Sequence, residues 1–125
     1  MTVSGKKSIL IVDDEEIIRD FLFEVLNDDY EVILATDGDE AIQKLENRAY
    51  DLIITDMKMP RVSGEEVVKY ACQNHPGSRV IVISGYSSLY TVSQSVDNGA
   101  CAFLSKPFSI QKLMETVAHC MEEVG

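Results

Sequence analysis

Five short apolar runs set the rhythm of this chain: Ile9 to Val12, "EVILA" at 31–35, "DLIITD" at 51–56, "RVIVIS" at 79–84 and "CAFLS" at 101–105. They are rich in Ile and Val and nearly continuous rather than alternating, which is how strands covered on both faces read. Between them the period changes. Residues 15–27 put Ile17, Ile18, Phe21, Leu22, Val25 and Leu26 on one helical face, and 38–48 do the same with Ala41, Ile42 and Leu45. Ser63 with Glu66 makes a capping-box pattern before a helix at about 64–74, which Pro76 and Gly77 end. A helix over 88–98 stops at Gly99, a glycine placed for a C-terminal cap. Ser109 caps a last helix, which carries Leu113, Met114, Val117 and Met121.

Strict alternation of strand and helix predicts an α/β, doubly wound, five-stranded parallel sheet with right-handed crossovers. No repeat, linker or low-complexity stretch interrupts it, so one domain is expected to fill residues 1–125, with a core of about 8–121. A chain of 125 residues is long enough for a single core.

Charge and cysteines narrow the functional classes. The formal net charge of -10 repels phosphate backbones, which argues against direct nucleic-acid binding and favours cations and basic protein patches. No apolar run approaches the roughly 20 residues that span a bilayer. The start, "MTVSGKK", lacks the apolar segment of a secretory signal. Cys72, Cys101 and Cys120 are odd in number and far apart, which fits neither a disulfide framework nor a zinc site. They read as reduced, mostly buried thiols of a cytoplasmic protein.

In such a sheet, ligands sit outside the carboxyl ends of the strands. Asp13 and Asp14 follow the first strand, Asp56 ends the third, Ser84 ends the fourth, and Lys106 and Pro107 follow the fifth. Thr36 and Asp37, after the second, read as turn and cap. If strands one and three are neighbours, Asp13, Asp14 and Asp56 converge. Two charges roughly 4 Å apart at an effective dielectric of about 20 repel by about 4 kcal/mol. A hard divalent cation with oxygen ligands, Mg²⁺ above all, offsets that repulsion, and Lys106 adds positive charge. Glu15 and Glu16 also favour a helix N-terminus. Asp13 and Asp14 alone read equally well as caps of the first helix. That reading leaves Asp56, Ser84 and Lys106 unexplained at three other strand ends. The residues by themselves do not select a nucleophile among the three aspartates.

Taken in order, the acidic pair, "TDMKMPRVSG" around Asp56, Ser84-Gly85 and "SKPF" resemble the response regulator receiver domain of two-component systems, from Ser8 to about Met121. The resemblance implies a flavodoxin-like (βα)5 fold with strand order 2-1-3-4-5. It implies that Asp56 is the phosphoacceptor, taking a phosphoryl group from a histidine kinase or histidine phosphotransfer protein as an aspartyl phosphate. Asp14 would ligate Mg²⁺ (or Mn²⁺) directly, Asp13 would act partly through water, and the Lys58 backbone carbonyl would be a further ligand. Lys106 would offset charge on the phosphoryl oxygens, and the Ser84 hydroxyl would bind them once present. Phe103, three before the lysine, stands where the family has an aromatic that reorients on activation; it reads equally as a plain core residue. Pro107 would follow a cis Lys106–Pro107 bond in a tight turn. Tyr86 and Lys58 flank the pocket mouth, either tuning loss of the phosphoryl group or standing as plain surface.

The implied role is a phosphorylation-controlled switch, not an enzyme beyond its own phosphoryl transfer and loss. Its readout would be the face formed by the poorly helix-forming 87–98 segment, the fifth strand and the last helix. Partners beyond the donor would be an output domain or effector protein, with the chain a monomer or a phosphorylation-dependent dimer, and no membrane. "SGYSS" and "FLSKPF" look like stretches of regulators attached to ATPase output domains. Stand-alone regulator and receiver excised from a longer protein both fit. A flavin-binding flavodoxin needs a phosphate loop where "DDEE" would repel the phosphate, and a haloacid dehalogenase phosphatase needs an absent D-x-D after the first strand. A degenerate receiver would lack part of the acidic set, all of which is present.

Overall fold

The computed structural model describes residues 6–85 and 99–122. The apolar runs form β1 (Ser8–Val12), β2 (Glu31–Ala35), β3 (Leu52–Asp56), β4 (Arg79–Ser84) and β5 (Ala102–Ser105). Between them lie α1 (Glu16–Leu26), α2 (Gly38–Asn47) and α3 (Gly64–Asn74), and the last helix is Ile110–Glu122. The helix expected over 88–98 and Tyr86 lie outside the described residues. All pairings are parallel, in the order β2-β1-β3-β4-β5.

The side-chain period of two along each strand divides the core between the two faces of the sheet. Ile9, Ile11, Leu52, Ile54, Ile81 and Ile83 pack with Leu22 and Leu26 of α1 and Leu113 and Val117 of the last helix. Leu10, Val12, Ile53, Val80 and Val82 pack with Ala41 and Leu45 of α2 and Val67, Val68 and Ala71 of α3. Both faces being covered is why the strands lack alternation. Each fully buried Leu or Ile contributes about 1.5–3 kcal/mol relative to exposure.

Three expectations need correcting. β2 is an edge strand, so its Val32, Ile33 and Leu34 are only half-buried. Ile17 is 81% exposed. It lies one residue, a turn of about 100°, off the Ile18, Leu22, Val25 stripe that meets the sheet. Among the thiols only Cys120 is buried; Cys101 is half-buried and Cys72, on the last turn of α3, is exposed.

The caps follow the sequence. Asp37 accepts the Glu40 N–H, and Ser63 with Glu66 forms a reciprocal capping box. Ser109 accepts the Lys112 N–H at 3.0 Å. Gly99 has a φ of 106°, in the range where a Cβ is disfavoured, though the helix it is expected to cap lies outside the described residues.

Candidate acidic pocket

Register brings the strand ends to one level. Val12 pairs with Thr55 across β1 and β3, so Asp13 and Asp56, each one residue further on, stand side by side. Ser84 pairs with Ser105, so Lys106 follows directly beside the end of β4, where its N–H donates to the Ser84 carbonyl at 2.9 Å. The Lys106–Pro107 bond is cis, as the resemblance implies. Asp14, Glu15, Asp56, Lys58, Ser84, Gly85 and Lys106 line a cavity of about 380 Å³ at this end of the sheet.

Asp13, Asp56 and Ser84 are buried, whereas Asp14 and Glu15 are exposed. Asp13 Oδ1 accepts the Glu15 N–H at 2.8 Å. Its Oδ2 is buried without a hydrogen bond, and the Lys106 ammonium stands 3.4 Å away. Lys106 Nζ is also 3.4 Å from Asp56 Oδ2 and donates to Glu15 Oε1 at 2.9 Å. Among the described residues, carboxylate oxygens of Asp13, Glu15 and Asp56 lie within 4.8 Å of one another.

These contacts set the ionisation of the pocket. Burial first, and then the charge of Asp13, push the Asp56 carboxyl up to about 6, and Lys106 only partly opposes them. Burial likewise raises Asp13, against the Glu15 N–H and Lys106. Burial would lower Lys106, but the Glu15 hydrogen bond and the charges of Asp13, Asp56 and Glu15 outweigh it, so the ammonium is held well above the usual lysine range. A single ammonium among three carboxylates leaves the cluster with excess negative charge. An orphaned, buried carboxylate oxygen in an all-oxygen cluster suits a hard cation. The donor set therefore fits Mg²⁺.

Asp13, Asp56 and Lys106 thus meet, with Ser84 in the wall. Asp14 lines the cavity but is outside the tight cluster of three. Glu15 is in it, a placement the sequence reading missed by assigning Glu15 to the helix N-terminus. Glu15 does occupy the N-cap position of α1 but caps nothing with its side chain, which reaches Lys106 instead. The signal was the block of four acids: an Asp13 side chain that accepts from two residues on turns the chain back over the pocket. Phe103, on β5 beside Val82, is half-buried and packs on the α2 and α3 side of the sheet.

A second feature that sequence reasoning missed lies in the loop after β3. Arg61 has a φ of 64°, the left-handed region that costs a side-chain-bearing residue roughly 1–2 kcal/mol.

The chain belongs to the response regulator receiver domain family, which it matches over residues 9–118. It is 39% identical over 115 residues to the response regulator protein PilR of Pseudomonas aeruginosa, covering 91% of this chain and 26% of that protein. It is 34% identical over 112 residues to sporulation initiation phosphotransferase F of Bacillus subtilis, covering 89% of this chain and 90% of that protein. A CheY-like receiver domain structure from Methanospirillum hungatei superposes with a TM-score of 0.91 at 34% identity, covering 96% of this chain and 97% of that one. Across four curated relatives the chain spans between 26% and 51% of their length. The protein is thus a receiver domain of phosphorylation-based two-component signalling. No helix among the described residues is long and apolar enough to cross a membrane.

Proposed function

We propose that residues 1–125 form one cytoplasmic receiver domain in which Asp56 is the phosphoacceptor. The observation that carries this reading is the placement of Asp56: buried at a strand end, 3.4 Å from the Lys106 ammonium and beside the orphaned oxygen of Asp13. An ionised Asp56 oxygen attacks the phosphorus of a phosphohistidine. The O–P bond forms, the N–P bond breaks, and the departing imidazole nitrogen takes up a proton. With its carboxyl held at about 6, Asp56 is mostly ionised near neutral pH.

The carboxylates of Asp13, Asp14 and Asp56 and the Lys58 backbone carbonyl would hold Mg²⁺, with Glu15 at hand. Mg²⁺, when bound, supplies positive charge against the phosphoryl oxygens. Lys106 supplies it from the protein side, and the Ser84 hydroxyl hydrogen-bonds the same oxygens. The change is read through the 87–98 segment, β5 and the last helix, with Phe103 repacking.

The donor is a histidine kinase or histidine phosphotransfer protein. Ile18, Phe21, Pro107 and Phe108 line an apolar groove that shares Lys106 with the acidic pocket. Ile17 adds an exposed apolar side chain on the same helix. A donor seated there would bring its histidine to the pocket mouth. The test is incubation with acetyl phosphate and Mg²⁺ followed by intact-mass measurement. Wild type should gain one phosphoryl group and Asp56→Asn none; a gain in both would sink the assignment.

A further inference from the structure

The loop that leaves Asp56 is held from two sides. On the inside, the Gly64 N–H donates to the Met57 carbonyl at 2.9 Å. A Cβ on Gly64 would stand 2.0 Å from the Asp56 carbonyl oxygen, so the loop closes directly on the backbone of Asp56. On the outside, the loop rests on the start of α2. There a Cβ on Gly38 would stand 2.3 Å from the Val62 carbonyl oxygen. Only glycines permit both approaches.

Arg61 ties this outer contact together. Its Nε donates to Asp39 Oδ2 at 2.9 Å and its Nη2 to Asp37 Oδ2 at 3.1 Å. Asp37 uses its other oxygen to accept the Glu40 N–H at 2.9 Å, so one carboxylate both caps α2 and holds the loop. An isolated surface ion pair contributes little. Arg61 and Asp39 are themselves 67% and 47% exposed, but two bonds fan from one guanidinium and the Asp37 side chain is only 24% exposed. The backbone gives a second, independent observation. Arg61 follows Pro60 and adopts a φ of 64°, a conformation that glycine or asparagine takes with less strain. A left-handed arginine held by its surroundings points to a use for its side chain.

We propose that Arg61 is a positioning residue for the acidic pocket. By bridging the loop to Asp37 and Asp39, it fixes residues 57–63 so that Lys58 faces the pocket. It also makes the first turn of α2 part of the same mechanical unit as the acceptor. It touches no reacting atom. The inference rests on the metal site proposed above, in which the Lys58 carbonyl is a ligand.

The test compares wild type, Arg61→Gly and Arg61→Lys on the full chain. Calorimetric Mg²⁺ titration, urea unfolding without metal, and amide hydrogen exchange without metal are the three readouts. Arg61→Gly removes the fork and relieves the backbone, so the urea midpoint holds or rises. Its Mg²⁺ affinity falls by about three- to tenfold, and amides in the loop exchange about tenfold faster. Arg61→Lys keeps the charge but puts one ammonium in place of the two-bond fork, so it recovers only part of the lost affinity and stays below wild type. Wild-type affinity and unchanged exchange in Arg61→Gly would overturn the positioning role and leave the metal site standing. Failure of wild type itself to bind Mg²⁺ would overturn both.

Discussion

Lys106 Nζ lies 2.9 Å from Glu15 Oε1, nearer than the 3.4 Å that separates it from either Asp13 or Asp56. Without a phosphoryl group, the lysine is shared among three acids and held most closely by the exposed one. The ammonium is needed where phosphoryl oxygens sit, whereas a cation needs the carboxylates. Lys106→Ala should therefore bind Mg²⁺ at least as tightly as wild type, since one positive charge has left the pocket. Its metal-free form should lose about 2 kcal/mol of stability, from the charged hydrogen bonds removed. It should also fail to pass on the signal of a phosphorylated Asp56. Clearly weaker Mg²⁺ binding by the folded variant, measured by calorimetry, would contradict this division of roles.

The Asp56 carboxyl predicts a pH dependence with a definite sign. Its folded-state value of about 6 lies above the ordinary 3.8, so the folded protein holds the proton more tightly than the unfolded chain does. Stability linked to this group is fully present below about pH 4 and is lost as the pH rises toward about 6. The loss is on the order of 1–3 kcal/mol. Urea unfolding of the metal-free protein at pH 4.5 and 7 should show that decline, and Asp56→Asn should flatten it. Asp56→Asn should also melt several degrees higher than wild type at pH 7 without metal.

Mg²⁺ should raise the melting temperature with no phosphate present. A ligand of the native state stabilises it by about 2.7 kcal/mol at a hundredfold excess over Kd. Asp14 is exposed at the cavity wall, where a carboxylate can meet an entering ion. Asp14→Ala should abolish the Mg²⁺-dependent rise seen by differential scanning. An undiminished rise in that variant would remove Asp14 from the ligand set.

Ile17 separates donor docking from chemistry. It is 81% exposed, so Ile17→Glu should change stability by no more than about 0.5 kcal/mol. Transfer from a phosphorylated histidine protein should slow by about tenfold or more, as for loss of an apolar anchor. Phosphorylation by acetyl phosphate, which needs no docking face, should keep its rate. Equal slowing with both donors would place the defect in the pocket instead.

The sheet was legible because its signal is local: five short apolar runs, four of them rich in Ile and Val, each followed by a helical pattern, with Asp37, Ser63 and Ser109 marking three of the helix starts. The pocket was legible in part for the same reason, since Asp13, Asp56, Ser84 and Lys106 stand at strand ends and register aligns them. What was not legible depends on three-dimensional neighbours. The half-burial of Val32, Ile33 and Leu34 follows from β2 lying at an edge, which its composition does not announce. Ile17 lies a single helical step off the buried stripe. Glu15 reads as an ordinary N-terminal acid until Lys106, 91 residues away, is placed beside it. Arg61 meets Asp39 across 22 residues and Asp37 across 24, and its left-handed backbone has no marker beyond the preceding proline.

The most direct measurement asks which atom carries the phosphoryl group. Protein treated with acetyl phosphate and Mg²⁺ can be reduced with borohydride, which converts an aspartyl phosphate to homoserine, and then mapped by peptide mass spectrometry. Homoserine should appear at position 56 alone and be absent when acetyl phosphate is omitted. Homoserine at position 13 or 14 instead, or a stable phosphoryl group on another residue type, would contradict Asp56 as the acceptor.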